Sequence, residues 1–243
     1  MESAFQGTSN VRRERSRFWL DIIYPCKCPF CGKAIRWYML SCEKCFSSIC
    51  WTDERFCPKC GLFKCICGER EIPYERFYSA MIYNGSDEVV RAFSSFKYHN
   101  NLNLNGILCD MLAYKIRSSD DFRHYDMIIP MPMNKFIRHE RGYNQAEIMS
   151  EELAKQLGSV SRNDIIFKKY SRKFQHELNR EERAANAGKQ YYAGNVRIDG
   201  KTVLLCDDIV TTGSSVIKCA SLLRELGAER VDAAAGAVTC HIM

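Results

Sequence analysis

Long apolar runs are missing from this sequence. No stretch in its 243 residues approaches the ~20 needed to cross a bilayer, so no membrane insertion is expected. No secretion signal is expected either. Arg12, Arg13, Arg15 and Arg17 precede Phe18-Trp19-Leu20, but Asp21 ends the apolar stretch at once and no small-residue cleavage site follows. Residues 1–24 are expected to be a tail, disordered before about Val11, leading into a short amphipathic helix. Apart from paired cysteines there is no repeat or low-complexity tract. A large charge excess is also absent: the net charge of +6 permits contact with phosphates or nucleic acid without requiring it. With 46% hydrophobic and 26% charged residues, the composition is that of an ordinary globular chain.

Cysteine, by contrast, is abundant. Ten of the 14 cysteines fall between Cys26 and Cys67, ahead of a long segment far too large for a secreted disulfide scaffold. Clustered pairs of this kind point to metal ligands in a reducing cytoplasm. The pairs are Cys28-x-x-Cys31, Cys42-x-x-Cys45, Cys57-x-x-Cys60 and Cys65-x-Cys67. Cys-Pro-Phe-Cys-Gly and Cys-Pro-Lys-Cys-Gly have the form of zinc knuckles, in which the glycine lets backbone N–H groups face the thiolates. Two four-thiolate zinc ribbons are expected, Cys28/Cys31/Cys42/Cys45 and Cys57/Cys60/Cys65/Cys67, the second weakened by its one-residue-short last pair. So small a region needs zinc as a source of folding energy. Cys26 and Cys50 read as partly buried thiols. Lys27, Lys33, Lys44, Arg55 and Lys59 give the region a basic tint that Glu43, Asp53 and Glu54 dilute, so a structural role is the default.

After Pro73 the texture changes to alternating strands and helices, which predicts a mainly parallel sheet with right-handed crossovers. Strands are expected at 77–83, 126–129, 165–167, 203–206 and 231–238, and helices at 87–97, 104–116, 146–157, 177–187 and 214–226. Pro130-Met131-Pro132 stops the second strand and opens a loop through Gln145 that carries Lys135, Arg138 and Arg141. The expected organisation is therefore a tail at 1–24, a cysteine-rich region at 25–73 and an α/β domain at 74–243.

The run Val203-Leu204-Leu205-Cys206-Asp207-Asp208-Ile209-Val210-Thr211-Thr212-Gly213-Ser214-Ser215 carries the chemistry. It reads as a strand buried on both faces, then two acids at its carboxyl end, then a small-residue loop opening a helix. The acids can hold hydroxyls or Mg²⁺, and helix-start N–H groups can hold a monophosphate. An ordinary strand–turn–helix with a threonine cap shows the same local pattern.

This combination resembles the signature of type I phosphoribosyltransferases, which bind 5-phosphoribosyl-1-pyrophosphate (PRPP). The resemblance implies that Asp207 and Asp208 face the ribose hydroxyls and that Thr211, Thr212, Gly213, Ser214 and Ser215 wrap the 5-phosphate. With Pro130-x-Pro132, Arg141-Gly142-Tyr143-Asn144-Gln145, Gln175-x-x-Leu178, Arg183-x-x-Asn186, Leu20-Asp21-Ile22-Ile23-Tyr24-Pro25 and Lys97-Tyr98, the chain looks like the competence protein F (ComF) family. That family joins an amino-terminal zinc ribbon to a phosphoribosyltransferase-like domain. The compressed second ribbon, Cys50 and Cys206 depart from its pattern.

The resemblance implies transfer of phosphoribose from PRPP to a nitrogen acceptor. Mg²⁺ accompanies PRPP, and Lys135 and Arg141 stabilise the departing pyrophosphate. Arg141 is the stronger of these because Gly142 allows close backbone approach. Arg180 can equally pair with Glu177 on a helix face, and Lys168, Lys169 and Lys173 read as surface charge. His139 and His176 are acids or bases by type only. No residue pattern specifies the acceptor. The competing expectation is a non-catalytic module that binds single-stranded DNA, or senses PRPP, beside proteins of competence and DNA uptake. The oligomeric state is not legible.

Overall fold

The computed structural model describes residues 26–36, 38–69, 71–98, 101–169 and 190–239. In chain order its elements are α1 (Glu43–Ser48), β1 (Phe77–Tyr83), α2 (Asp87–Tyr98), α3 (Leu102–Arg117), β2 (Met127–Pro130), α4 (Lys135–Arg141), α5 (Gln145–Leu157), β3 (Ile166–Lys168), β4 (Tyr191–Ala193), β5 (Thr202–Val210), α6 (Ser214–Glu225) and β6 (Arg230–Thr239). The helices expected before Pro25 and over 177–187 lie outside the described residues.

A four-stranded, all-parallel sheet in the order β1-β6-β5-β2 forms the centre. Its strands are apolar on both faces because both faces are covered. Leu204 and Cys206 face one side, with Leu104, Leu108 and Leu112 of α3 and Met149 and Leu153 of α5. Val203 and Leu205 face the other, with Val216, Cys219 and Leu223 of α6. In the middle of β6 the run Ala233-Ala234-Ala235-Gly236-Ala237 keeps side chains small. A Cβ on Gly236 would lie 2.8 Å from Leu108 Cδ1 and 2.9 Å from the carbonyl oxygen of Asp208.

The two cysteine clusters straddle this sheet. Cys28, Phe30, Leu40, Cys45 and Ile49 join the α3 side, whereas Phe56, Cys60, Leu62, Ile72 and Tyr74 join the α6 side. Between them, residues 50–52 lie antiparallel along the otherwise open edge of β1: Ile82 N–H donates to Cys50 O at 2.7 Å and Thr52 N–H to Ala80 O at 3.1 Å. Covering that edge removes a site for unwanted strand pairing.

Lys115 fastens this junction. Its Nζ donates to Thr52 O (2.6 Å), Thr52 Oγ1 (2.5 Å) and Ser79 O (2.8 Å). Burial pushes its ammonium down to about 8, with Asp53 opposing. A depressed lysine pKa means that the unfolded chain binds more protons than the folded one between about pH 8 and ~10.4. Stability contributed by this group therefore rises with pH through that window and is lowest below pH 8. Urea unfolding at pH 7.5 and 9.5 should show a gain of roughly 1–2 kcal/mol in wild type that Lys115→Met lacks.

Several elements differ from expectation. Residues 135–141, read as loop, form α4, because Asn134 caps it (accepting from Phe136 N at 2.9 Å) and Gly142 closes it in the left-handed region at φ 81°. Helix α3 begins at Leu102, two residues before the expected start at 104. Asn101 caps it, while buried Asn103 donates to Lys27 O at 3.2 Å. The strand near 165–167 stands apart from the parallel sheet: β3 pairs antiparallel with β4, with Phe167 stacked on Tyr192.

Candidate functional site

Strand β5 carries the two acids. The strand does not stop at Cys206 as expected but continues to Val210, paired along β6, so Asp207 and Asp208 lie within its carboxyl-terminal part. Each carboxylate is pinned by a nearby amide: Asp208 N–H donates to Asp207 Oδ1 and Ile209 N–H to Asp208 Oδ1, both at 2.9 Å. Burial, then the neighbouring Asp208 charge, pushes Asp207 well above the ordinary carboxylate range, against the Asp208 amide and Lys97. Lys97 Nζ lies 3.2 Å from Asp208 Oδ2. A pair of acids with this balance can chelate a vicinal diol or a hydrated cation once a ligand replaces the lysine.

The chain then turns through Thr211 and Thr212, both exposed, to Gly213 at φ 72°, where α6 starts. The cap position is this glycine, not a threonine, and no side chain caps the first turn. A helix start without a side-chain cap is the kind of place where backbone N–H groups can meet an anion. Thr212 Oγ1 and Ser214 Oγ are 3.1 Å apart, Thr239 Oγ1 donates to Thr211 O at 3.4 Å, and Tyr191 OH to Ser215 Oγ at 3.2 Å. Hydroxyls from three segments therefore meet at the loop.

The second half is built by β2 and α4. Lys135 opens α4, Arg138 is taken by Glu147 at 2.6 Å, and the Arg141 guanidinium lies 5.1 Å from the ring centroid of Tyr98, with Nη2 3.3 Å from its hydroxyl. Gly142 also has a role within the fold. Its φ and its N–H bond to Arg138 O (2.8 Å) end the helix, and no atom stands within 4 Å of a Cβ placed there. Asn144 caps α5 and donates to Met131 O at 3.0 Å. Tyr143 OH donates to Phe96 O and Gln145 Nε2 to Lys97 O at 3.4 Å, so the Arg141–Gln145 run grips the end of α2.

Lys97 and Tyr98 are the residues that sequence reasoning placed in a family pattern but not in the site. No spacing rule links them to Asp208 or Arg141; only the fold does. Lys168, read as surface charge, lies with its Nζ 5.2 Å from the Tyr191 ring centroid, beside the same loop. His139 is exposed on α4. Gln175, His176, Leu178, Arg180, Arg183 and Asn186 lie outside the described residues.

Both cysteine quartets are assembled. In each, the four sulfurs lie within 4.8 Å of one another. Specific separations are 3.8 Å for Cys31–Cys42, 3.7 Å for Cys57–Cys67 and 3.5 Å for Cys57–Cys65. A tetrahedral zinc with Zn–S near 2.3 Å requires sulfurs ~3.8 Å apart, so the donor sets fit that ion, the compressed pair included. The knuckles repeat each other: Gly32 N–H to Cys28 O (2.9 Å) and Cys28 N–H to Lys33 O (2.8 Å) match Gly61 N–H to Cys57 O (2.8 Å) and Cys57 N–H to Leu62 O (3.1 Å). Burial opposes ionisation of Cys31 and Cys57, but neighbouring amides and thiols bring each to about 7. Cys50, expected to be partly buried, is exposed. Gly61 has φ 74°, and a Cβ there would meet the Phe77 ring at 2.0 Å. Gly61→Ala should therefore cost about 3 kcal/mol or more in chemical denaturation, whereas Gly32→Ala, with open space, should cost about 1 kcal/mol.

The phosphoribosyl transferase domain family matches residues 101–237, from α3 to β6. The chain belongs to the phosphoribosyl transferase family. Its relatives include competence protein F of Haemophilus influenzae, 28% identical over 56% of this chain. The match spans 62% of that protein, less than two thirds of its length. They also include DNA utilization protein YhgH of Escherichia coli K12, 24% identical over 74% of this chain and 82% of the relative. Competence protein ComFC of Bacillus subtilis is 24% identical over 76% of this chain and 78% of its own. These matches identify a ComF-type, phosphoribosyltransferase-like member of the family. Among the described residues of this family member, no helix is long and apolar enough to cross a membrane.

Proposed function

We propose that this protein binds PRPP and transfers its phosphoribosyl group to a nitrogen acceptor with release of pyrophosphate. The observation that supports this most directly is the pairing, on one strand–loop–helix, of two adjacent carboxylates with a glycine-capped helix start. Asp207 and Asp208 hold the ribose hydroxyls, and Thr211, Thr212, Gly213, Ser214 and Ser215 surround the 5-phosphate. Lys135 and Arg141 neutralise charge on the leaving pyrophosphate, the arginine with its planar fork and the lysine as a point charge. Lys97, which neutralises Asp208 in the unliganded site, is released when the diol arrives. Mg²⁺, bound with PRPP, supplies further charge stabilisation to the pyrophosphate.

We assign zinc to Cys28, Cys31, Cys42 and Cys45 and a second zinc to Cys57, Cys60, Cys65 and Cys67. The ribbon region at 25–73 then docks on a phosphoribosyltransferase-like domain at 74–243, with residues 1–24 preceding both. Thiolate sites of this kind persist in a reducing compartment, which supports the cytoplasm as its location.

The names of the relatives, competence protein and DNA utilization protein, support a role in DNA uptake and use. They also favour a second reading, a PRPP-binding accessory factor that contacts single-stranded DNA or competence proteins without turnover. Calorimetric titration with Mg-PRPP, followed by a pyrophosphate-release assay across nitrogen bases, separates the two. Binding with pyrophosphate release supports the transferase; binding without release on any base supports the accessory factor; no binding at millimolar PRPP removes both.

A further inference from the structure

Tyr98 is 63% exposed, more than any other large apolar side chain among the described residues. It is nevertheless held in place. The Arg141 guanidinium covers one face of its ring, 5.1 Å from the centroid, and Nη2 is 3.3 Å from the hydroxyl. The backbone beneath is held as well, since Tyr143 bonds Phe96 O and Gln145 bonds Lys97 O. The preceding residue, Lys97, touches Asp208 at 3.2 Å. A ring so placed is an aromatic shelf held by Arg141 and next in the chain to the lysine that meets Asp208, with much of its surface open to water.

A flat π system is complementary to that exposed ring. Aromatic rings prefer offset stacking, and a cation behind one ring strengthens its attraction for an electron-rich partner in front. Stacking on tyrosine tolerates any nitrogen base because every base presents a π-face. Resting on the PRPP reading above, we infer that Tyr98, backed by Arg141, is the platform for the phosphoribosyl acceptor, a planar nitrogen heterocycle. On that platform the base nitrogen gives its lone pair to the ribose C1 carbon as the C1–oxygen bond breaks. The bonding pair leaves on pyrophosphate, and the proton on the attacking nitrogen goes to solvent. Tyr98 thereby supplies the acceptor half of the site, which the Asp207–Ser215 run leaves undefined.

The test is equilibrium binding of adenine, hypoxanthine, uracil and orotate to the full chain in Mg²⁺ and pyrophosphate, with Mg-PRPP affinity measured in parallel. At least one base should bind wild type. Tyr98→Phe should bind it within about twofold and Tyr98→Ala about tenfold or more weakly, with Mg-PRPP affinity unchanged within about threefold. Three results would overturn the platform: no base binding while Mg-PRPP binds, equal base affinity in wild type and Tyr98→Ala, or a Tyr98→Ala loss as large for Mg-PRPP as for the base. The last would make Tyr98 a positioning residue for Arg141. A single-stranded oligothymidylate that loses affinity in Tyr98→Ala when no free base binds would also overturn it. If Mg-PRPP itself fails to bind, the donor reading falls, and the same variants titrated with base alone still decide the platform.

Discussion

Asp207→Asn is expected to lose Mg-PRPP affinity by ~30-fold while leaving the protein at least as stable at pH 7. The affinity loss follows from replacing a charged acceptor of a ribose hydroxyl, an interaction of about 2 kcal/mol. The stability result follows from the environment of the carboxyl. Burial and Asp208 raise the Asp207 pKa well above its unfolded value. A raised acid favours folding only while protonated in both states. Its contribution is most favourable below ~3.9 and is lost as pH rises towards the folded value. Asparagine removes that opposition. The same sign governs the ligand: a diol held by ionised carboxylates displaces the proton from Asp207, so Mg-PRPP affinity should rise with pH up to the folded pKa. Asp208→Asn should lose affinity similarly and also free Lys97. Calorimetry from pH 5.5 to 8.5, with thermal unfolding of each variant, checks both arms. Full affinity in the double Asp207→Asn/Asp208→Asn variant would remove the assignment.

Removing zinc is expected to unfold more than the ribbons. Structural zinc contributes about 10–16 kcal/mol in small zinc folds, which matches or exceeds the ~5–15 kcal/mol net stability of a typical domain. Here the apolar residues beside the thiolates, Phe30, Leu40 and Ile49 on one face and Phe56, Leu62 and Tyr74 on the other, belong to the same cores as β5 and β6. Elemental analysis should find two zinc ions per chain, and one in either Cys28→Ser or Cys57→Ser. Chelation should lower the melting midpoint by more than ~10 °C and expose the sheet to hydrogen exchange. Acid should promote release, since the thiolates must lose their protons to bind metal. A reduced, folded chain without zinc and with an unchanged midpoint would rule the sites out.

Much of this was legible in local pattern. Strands β1 and β6 and helices α2, α5 and α6 sit within about a turn of their expected bounds, because unbroken apolar runs and helical spacing report burial directly. Cysteine spacing foretold both quartets, since a knuckle is a local turn. The short last pair was harder to judge: whether Cys65 and Cys67 reach Cys57 and Cys60 depends on how the intervening chain folds over Phe77 and Tyr74. Helix α4 was missed because three cations and a histidine in seven residues give no apolar face, and its caps, Asn134 and Gly142, are its main local signal.

The sequence by itself determined which residues make up the paired-acid loop and the thiol clusters, because each is written in one short run: acids, hydroxyls and glycine across Asp207–Ser215, and four thiol pairs between Cys28 and Cys67. Only the tertiary structure decided that Lys97 faces Asp208, that Tyr98 is held against Arg141, and that the two ribbons lie on opposite faces of one sheet. Those are contacts between residues far apart along the chain. They follow from strand order, helix packing and the loop that grips the end of α2, none of which leaves a local period to read.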